Sequence, residues 1–182
     1  MKSDVEACRG LDATALAQSR AESLVLAYQT KIARFLRRMV GDAEVALDLT
    51  QDVFLSAYRL LAADPRRELT PGWLYRAATN AGISHLRRKK ILRILPLDRE
   101  VDRPCASLRT WRVDEQSVAS VDLQAALARL NADQAAALLL TSYAGYSSSE
   151  AAGILGTTAD AVRQRVCRAM RTLRSTMREG TE

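Results

Sequence analysis

The sequence predicts an all-α protein: two small helical domains joined by a flexible linker, the second ending in a helix-turn-helix. Three observations lead there. Apolar residues recur at spacings of three and four along most of the 182 residues, as helices with one buried face require. Ala, Leu and Arg abound, while only 8 Gly and 4 Pro interrupt them, a balance that favours helix. The periodicity lapses over 93–115, where Pro96 and Pro104 stand among Asp98, Arg99, Glu100, Asp102, Arg103, Arg109 and Arg112. That stretch is too long for an ordinary loop inside a compact domain and reads as a linker. It divides the chain into domains over 14–92 and 116–178.

The residues up to about Asp12 are polar and are expected to fray. A first helix is predicted from Thr14 to Val40, with Leu24, Tyr28, Ile32, Phe35, Leu36 and Met39 at helical spacing. Arg34, Arg37 and Arg38 crowd its last turns, where cations suit the helix dipole, and Gly41 ends it. Asp42 caps a second helix over 43–62, whose apolar set is Val45, Ala46, Leu49, Val53, Phe54, Ala57, Leu60 and Leu61. Its polar positions Glu44, Asp48, Gln51 and Asp52 share one face. A solvated helix surface and a docking surface for a basic protein both account for this acidic stripe.

After the loop Asp64–Leu69, Thr70 and Pro71 start a third helix, an N-cap followed by Pro at the first helical position. Leu74, Ala77, Ala78, Ala81 and Leu86 point to its core face, while Arg76, Asn80, Ser84 and Arg87 form a polar stripe. Arg88, Lys89 and Lys90 extend its basic end. An aromatic, an amide and arginines on one helix can stack unpaired bases and contact phosphate. For Trp73 a place in the core is an equal alternative. His85, the single histidine, has no constellation around it and reads as a polar helix residue.

The second domain opens near Asp114. Val118, Val121, Leu123, Ala126, Leu127 and Leu130 suggest one helix, and Asn131 with Gln134 forms the capping box of the next. That next helix is nearly all apolar and should be buried up to Gly145. Ser147 and Glu150 make a second capping box, Ala151, Ala152, Ile154 and Leu155 follow, and Gly156 can take the left-handed conformation that ends a helix. Thr157 or Thr158 then caps a last helix with Val162, Val166, Ala169, Met170 and Leu173 on its buried face. Arg163, Gln164, Arg165, Arg168, Arg171 and Arg174 cover the rest. This is the pattern of a helix-turn-helix, although a solvated basic hairpin would look the same.

The formal net charge of +6 suits a polyanionic partner. Cys8, Cys105 and Cys167 are scattered, without CxxC or Cys/His spacing, so reduced thiols are expected and no zinc site. No apolar run could span a bilayer, no secretory signal is evident, and a cytoplasmic location without membrane insertion is the expectation. No phosphate loop, nucleophile elbow or metal motif is present, which argues against an enzyme and against a cofactor.

Three blocks carry a resemblance: AEVALDLTQDVFLSAYRLL, WLYRAATNAGISHLRRKK and, past the linker, LNADQAAALLLTSYAGYSSSEAAGILGTTADAVRQRVCRAMRTLR. In order and spacing they resemble the bacterial sigma factors, in the short two-domain form known as the extracytoplasmic-function type. The resemblance runs over roughly 20–176. It implies a non-catalytic subunit of RNA polymerase that selects promoters, with core polymerase (the β′ and β subunits), promoter DNA and an anti-sigma factor as partners.

Residue by residue, it implies that Asp48, Gln51 and Asp52 dock on β′, with Phe54 as core support. Trp73, Arg76 and Asn80, with the loop before them, would take the minus-ten element as a melted strand, while Arg87, Arg88 and Lys89 hold its backbone. Arg163, Gln164, Arg165 and Arg168 would read the minus-thirty-five duplex, with Thr158 and the helix N-terminus on phosphate. The sequence departs from the family at Leu47, at Ser84 and at Asp160–Ala161, where Gly-Thr is usual. A carboxylate at Asp160 repels phosphate or accepts from a cytosine amine. An autonomous helix-turn-helix regulator is the alternative reading of the whole chain.

Overall fold

The structure is a computed structural model and describes residues 2–94 and 118–179, with side chains over 14–91 and 123–176. Helices α1 (Lys2–Val40), α2 (Ala43–Ala63) and α3 (Pro71–Ile94) form the N-terminal half. Helices α4 (Val118–Ala128), α5 (Ala132–Leu138), α6 (Ser148–Leu155) and α7 (Ala159–Glu179) form the C-terminal half. The described residues contain no strand. Most of the linker read over 93–115 lies outside the described residues; its first two positions extend α3.

Short-range chemistry sets the helix ends. The Asp42 carboxylate accepts from the backbone N–H groups of Glu44 and Val45 at 2.9 and 3.1 Å. Thr70 Oγ1 accepts from Trp73 N at 3.3 Å at the start of α3. Both capping boxes form, Asn131 with Gln134 and Ser147 with Glu150. Gly156 closes α6 with φ +62°, a conformation that costs glycine nothing. Thr158, rather than Thr157, then caps α7, accepting from Ala161 N at 3.2 Å.

Two expectations about helix course change. The first helix starts at Lys2 instead of Thr14, in place of the expected frayed segment. The chain has no proline before Pro65, and Ala7, Ala13, Ala15 and Ala17 favour helix, which outweighs the single Gly10 in this stretch. The apolar helix after Asn131 does not run as a uniform α-helix. It passes at Leu139–Tyr143 into a π turn, with Ala144 N donating to Leu139 O at 2.9 Å. One extra residue in a turn rotates the chain beyond it by about 100°. Tyr143 and Tyr146 therefore face other directions than an unbroken α-helix would give them.

The two helical domains pack against each other and share a buried cluster. A single buried cluster joins Ile32, Phe35 and Leu36 of α1, Ala46 and Val53 of α2 and Leu74, Tyr75 and Ala78 of α3 to Leu139, Leu140, Ala152, Ile154 and Val162 of the C-terminal half. Tyr75 is its hinge: the ring packs edge-on against Phe35 (centroids 5.3 Å, 89°) and against Tyr146 (5.3 Å, 77°). A smaller cluster of Leu127, Leu130, Ala135, Leu138 and Ala169 belongs to the C-terminal half alone. Leu123 and Met170, expected in the core, are 40% and 39% exposed. Each of these helices is covered by its neighbours on only one side, narrower than its apolar stripe.

Candidate functional site

The acidic stripe of α2 is a free surface. Glu44, Asp48, Gln51 and Asp52 are all exposed, while Val53 and Ala57 behind them are buried. Phe54 is half-buried and packs on the shared core, so its part is support. Beside the stripe lies a groove of about 700 Å³ between α1 and α2, lined by Val25, Leu26, Gln51, Phe54, Leu55 and Tyr58. Leu26 is 88% exposed and Leu55 50%, which is costly for leucine unless a partner covers them. The sequence reading missed this groove. Its signal was present: Leu55 and Tyr58 are apolar, lie off the core face of α2, and succeed Gln51 at spacings of four and three. Apolar floor and acidic rim together fit a basic amphipathic helix.

The polar stripe of α3 is also exposed, at Arg76, Asn80, Ser84 and Arg87, and continues into Arg88, Lys89 and Lys90. Trp73 sits apart from it. The indole is half-buried and packs on the shared core, which leaves only part of the ring for a base. Arg88 Nε donates to Ser84 O at 3.3 Å, which lays that side chain along its own helix. Two arginines of this face reach the C-terminal half. Arg87 lies 3.7 Å from Asp133 of α5, and Arg76 Nη2 comes within 3.9 Å of where a Cβ on Gly156 would stand. His85, beside them, has its pKa lowered by burial and then by Lys89 and Arg88, which keeps the ring neutral at physiological pH.

On α7, Arg163, Gln164 and Arg168 are exposed, Arg165 is half-buried, and Val162 and Ala169 anchor the opposite face. Thr158 is exposed at the N-terminus, where the helix dipole favours an anion. Asp160 does not face outward alone: it accepts a charge-assisted hydrogen bond from Arg163 Nη2 one turn on. Cys167 is a free, exposed thiol on this helix. Among the described residues no group of three or more His, Cys, Asp or Glu could hold a metal ion, and no helix is long and apolar enough to cross a membrane.

Known proteins share this organisation. Residues 24–91 match Sigma-70 region 2 and residues 120–173 match Sigma-70 region 4. The chain is 30% identical over 154 residues to ECF RNA polymerase sigma factor SigE of Mycolicibacterium smegmatis, covering 84% of this chain and 60% of that protein. It is 30% identical to the RNA polymerase sigma-H factor of Pseudomonas aeruginosa, covering 80% of each. In fold it is similar to the sigma factor RpoE of Bartonella quintana, solved with the anti-sigma factor NepR (TM-score 0.63, 22% identity, 86% of this chain and 96% of that one). It is similar also to CnrH, solved with the cytosolic domain of CnrY (TM-score 0.60, 22% identity, 92% and 97%). With an exposed acidic face on α2, a basic face on α3 and a helix-turn-helix behind them, matched in order by regions 2 and 4, the chain belongs to the sigma-70 family as a sigma factor of the extracytoplasmic-function type.

Proposed function

We propose that this chain directs core RNA polymerase to specific promoters and does no chemistry of its own. The observation that carries the reading is the division of charge: the +6 chain exposes Glu44, Asp48 and Asp52 together on α2, while Arg76, Arg87 and Arg88 are exposed on α3 and Arg163 and Arg168 on α7. An exposed acidic face supports a basic protein partner rather than DNA. Asp48, Gln51 and Asp52 dock on the β′ subunit, with Leu26, Leu55 and Tyr58 of the groove beneath a partner helix. The domain over 14–92 holds the minus-ten element as a melted strand. Arg76 and Asn80 contact its bases, part of Trp73 offers a stacking surface, and Arg87, Arg88 and Lys89 contact its backbone. The domain over 116–178 reads the minus-thirty-five duplex through Arg163, Gln164, Arg165 and Arg168, with Thr158 on phosphate. The linker over 93–115 joins them, and an anti-sigma factor is the expected inhibitor. Unstacking costs a few kcal/mol per step, which stacking and phosphate contacts offset.

Run-off transcription with core polymerase, with and without this chain, tests the reading. Transcripts from specific start sites should appear only with the chain. Asp48→Arg with Gln51→Ala should abolish them and the pull-down of core polymerase, with the helix content unchanged. Transcription that is independent of the chain, or association that survives the substitutions, overturns it.

A further inference from the structure

Between α2 and α3 the chain places three charged side chains in a row. Arg66, Arg67 and Glu68 are all exposed, between Pro65 and Leu69, which are half-buried. Leu69 packs on the shared core, and Thr70 caps α3. The start of this loop is tied locally. Asp64 N donates to Leu60 O, Arg66 N to the Asp64 carboxylate and Arg67 N to Asp64 O, each at 3.0 Å.

A further bond comes from far along the chain. Nη1 of Arg20, on α1, donates to the carbonyl oxygen of Pro65, 45 residues on. Arg20 is half-buried, and Ala17, about one turn earlier on the same face of α1, is fully buried. The guanidinium therefore leaves a packed helix face and meets the loop at its bend. Pro65 has no N–H, so its carbonyl is the hydrogen-bonding group that the backbone offers there. Arg20 belongs to none of the faces assigned above to polymerase or to DNA.

Glu68 makes the placement of the loop matter. Arg66 and Arg67 attract any strand, whatever its sequence. Phosphate repels a carboxylate, whose favourable contact with a strand is instead the exocyclic amine of a base. That contact selects among bases in proportion to how firmly the carboxylate is held. A loop tied by local bonds alone opens readily, whereas a bond from a packed helix restricts it before any strand arrives.

Resting on the promoter reading above, we propose that Arg20 is a positioning residue for discrimination among minus-ten sequences. By holding Pro65 O it fixes the loop that leads into α3. The two arginines draw the melted strand to the loop, and Glu68 accepts from a base amine there. Arg20 touches neither strand nor polymerase and acts through the loop.

The test uses holoenzyme assembled from core polymerase and the full chain. Arg20→Met keeps the apolar stem and loses the donor, and Arg20→Lys restores a donor. A pool of 20-nucleotide single strands of random sequence is selected by each holoenzyme and sequenced. Wild type should enrich one short motif. Arg20→Met should lower its enrichment over the pool mean about fivefold, the equivalent of one hydrogen bond, with helix content unchanged and total strand bound within about twofold. Arg20→Lys should recover most of the enrichment. In the full chain alone, amide exchange at Arg66 and Arg67 should quicken about fivefold in Arg20→Met, because their bonds break when the loop opens. Equal enrichment by wild type and Arg20→Met, unchanged exchange, or no recovery with Lys overturns the role. An equal loss on every sequence also overturns it, because that marks Arg20 as a direct phosphate contact or a purely structural residue. If wild type enriches no motif while exchange responds as expected, the promoter reading fails and the tie between Arg20 and the loop stands.

Discussion

The guanidinium of Arg38 lies over the ring of Tyr143, its central carbon 4.1 Å from the ring centroid. Arg38 stands in the last turn of α1 and Tyr143 at the end of the π turn, so this cation–π contact ties the two halves. By sequence Arg38 is only a cation suited to a helix C-terminus. Tyr143 is 36% exposed, which places the contact toward the weak end of its range, about 0.5–1 kcal/mol. Tyr143→Leu should lower the unfolding free energy by about that amount in urea melts, and Tyr143→Phe should retain most of it. Equal loss in both would mean that the hydroxyl, not the ring, is what matters.

The tyrosines of the seam make it sensitive to alkali. The Tyr75 pKa is pushed up to about 12, chiefly by burial and then by Tyr146, Tyr143 and Tyr28. Tyr146 is raised as well, again chiefly by burial. A raised folded-state pKa means that the protonated phenol is favoured in the fold. The stability it contributes is complete below the unfolded value of 10.0 and is lost as pH rises through the folded one. The chain should therefore lose stability between about pH 10 and pH 12, with phenolate absorbance rising late for Tyr75 and with the loss of its edge-on packing. Replacing Tyr75 with Phe should remove part of that alkaline transition. Tyrosines that all ionise near 10 without a stability change would contradict it.

Thr50 and Thr79 are both buried, at 3% and 1% exposure, yet differ in their hydrogen bonds. Thr50 Oγ1 donates to Ala46 O at 2.6 Å, whereas Thr79 Oγ1 has no partner. A buried hydroxyl without a partner costs about 1–3 kcal/mol, and the isosteric Val removes that cost without leaving a cavity. Thr79→Val should raise the midpoint of thermal unfolding, and Thr50→Val should leave it level or lower it. A fall for Thr79→Val would show that its hydroxyl is bonded after all.

What could be read in advance was local. The caps at Asp42, Asn131 and Ser147, the turn at Gly156 and the core positions Ile32, Phe35, Leu74 and Val162 depend on neighbours within a turn or two, and periodicity reports them. The exposed stripes of α2, α3 and α7 were legible for the same reason. The seam was not. Tyr75 lies among Arg76 and Trp73 with nothing nearby to mark it as buried, because the groups that cover it, Phe35 and Tyr146, are far along the chain. The π turn hid inside an apolar run that reads identically as α-helix. Leu55 and Tyr58 were passed over because they fall outside the core periodicity, and that is why they line a groove.

Asp160 is the departure from the family pattern that bears most on duplex reading. Arg163 Nη2 donates to its carboxylate across one turn of α7, with the two side chains 59% and 79% exposed. An exposed pair at this spacing is worth about 0.2–0.5 kcal/mol, too little to stabilise the fold but enough to bias one rotamer of Arg163. Under the proposed duplex reading, the carboxylate also opposes phosphate. The two effects separate in binding measurements. Asp160→Asn should tighten binding to non-specific duplex while discrimination in favour of the promoter's upstream element falls about twofold, as Arg163 loses its bias. Arg163→Ala should cost about 1–3 kcal/mol of that discrimination, the value of a bidentate contact to guanine. Titrations of the holoenzyme against duplexes carrying and lacking the upstream element measure both. If Asp160→Asn tightens binding to every duplex equally, the carboxylate acts only through repulsion and does not position Arg163.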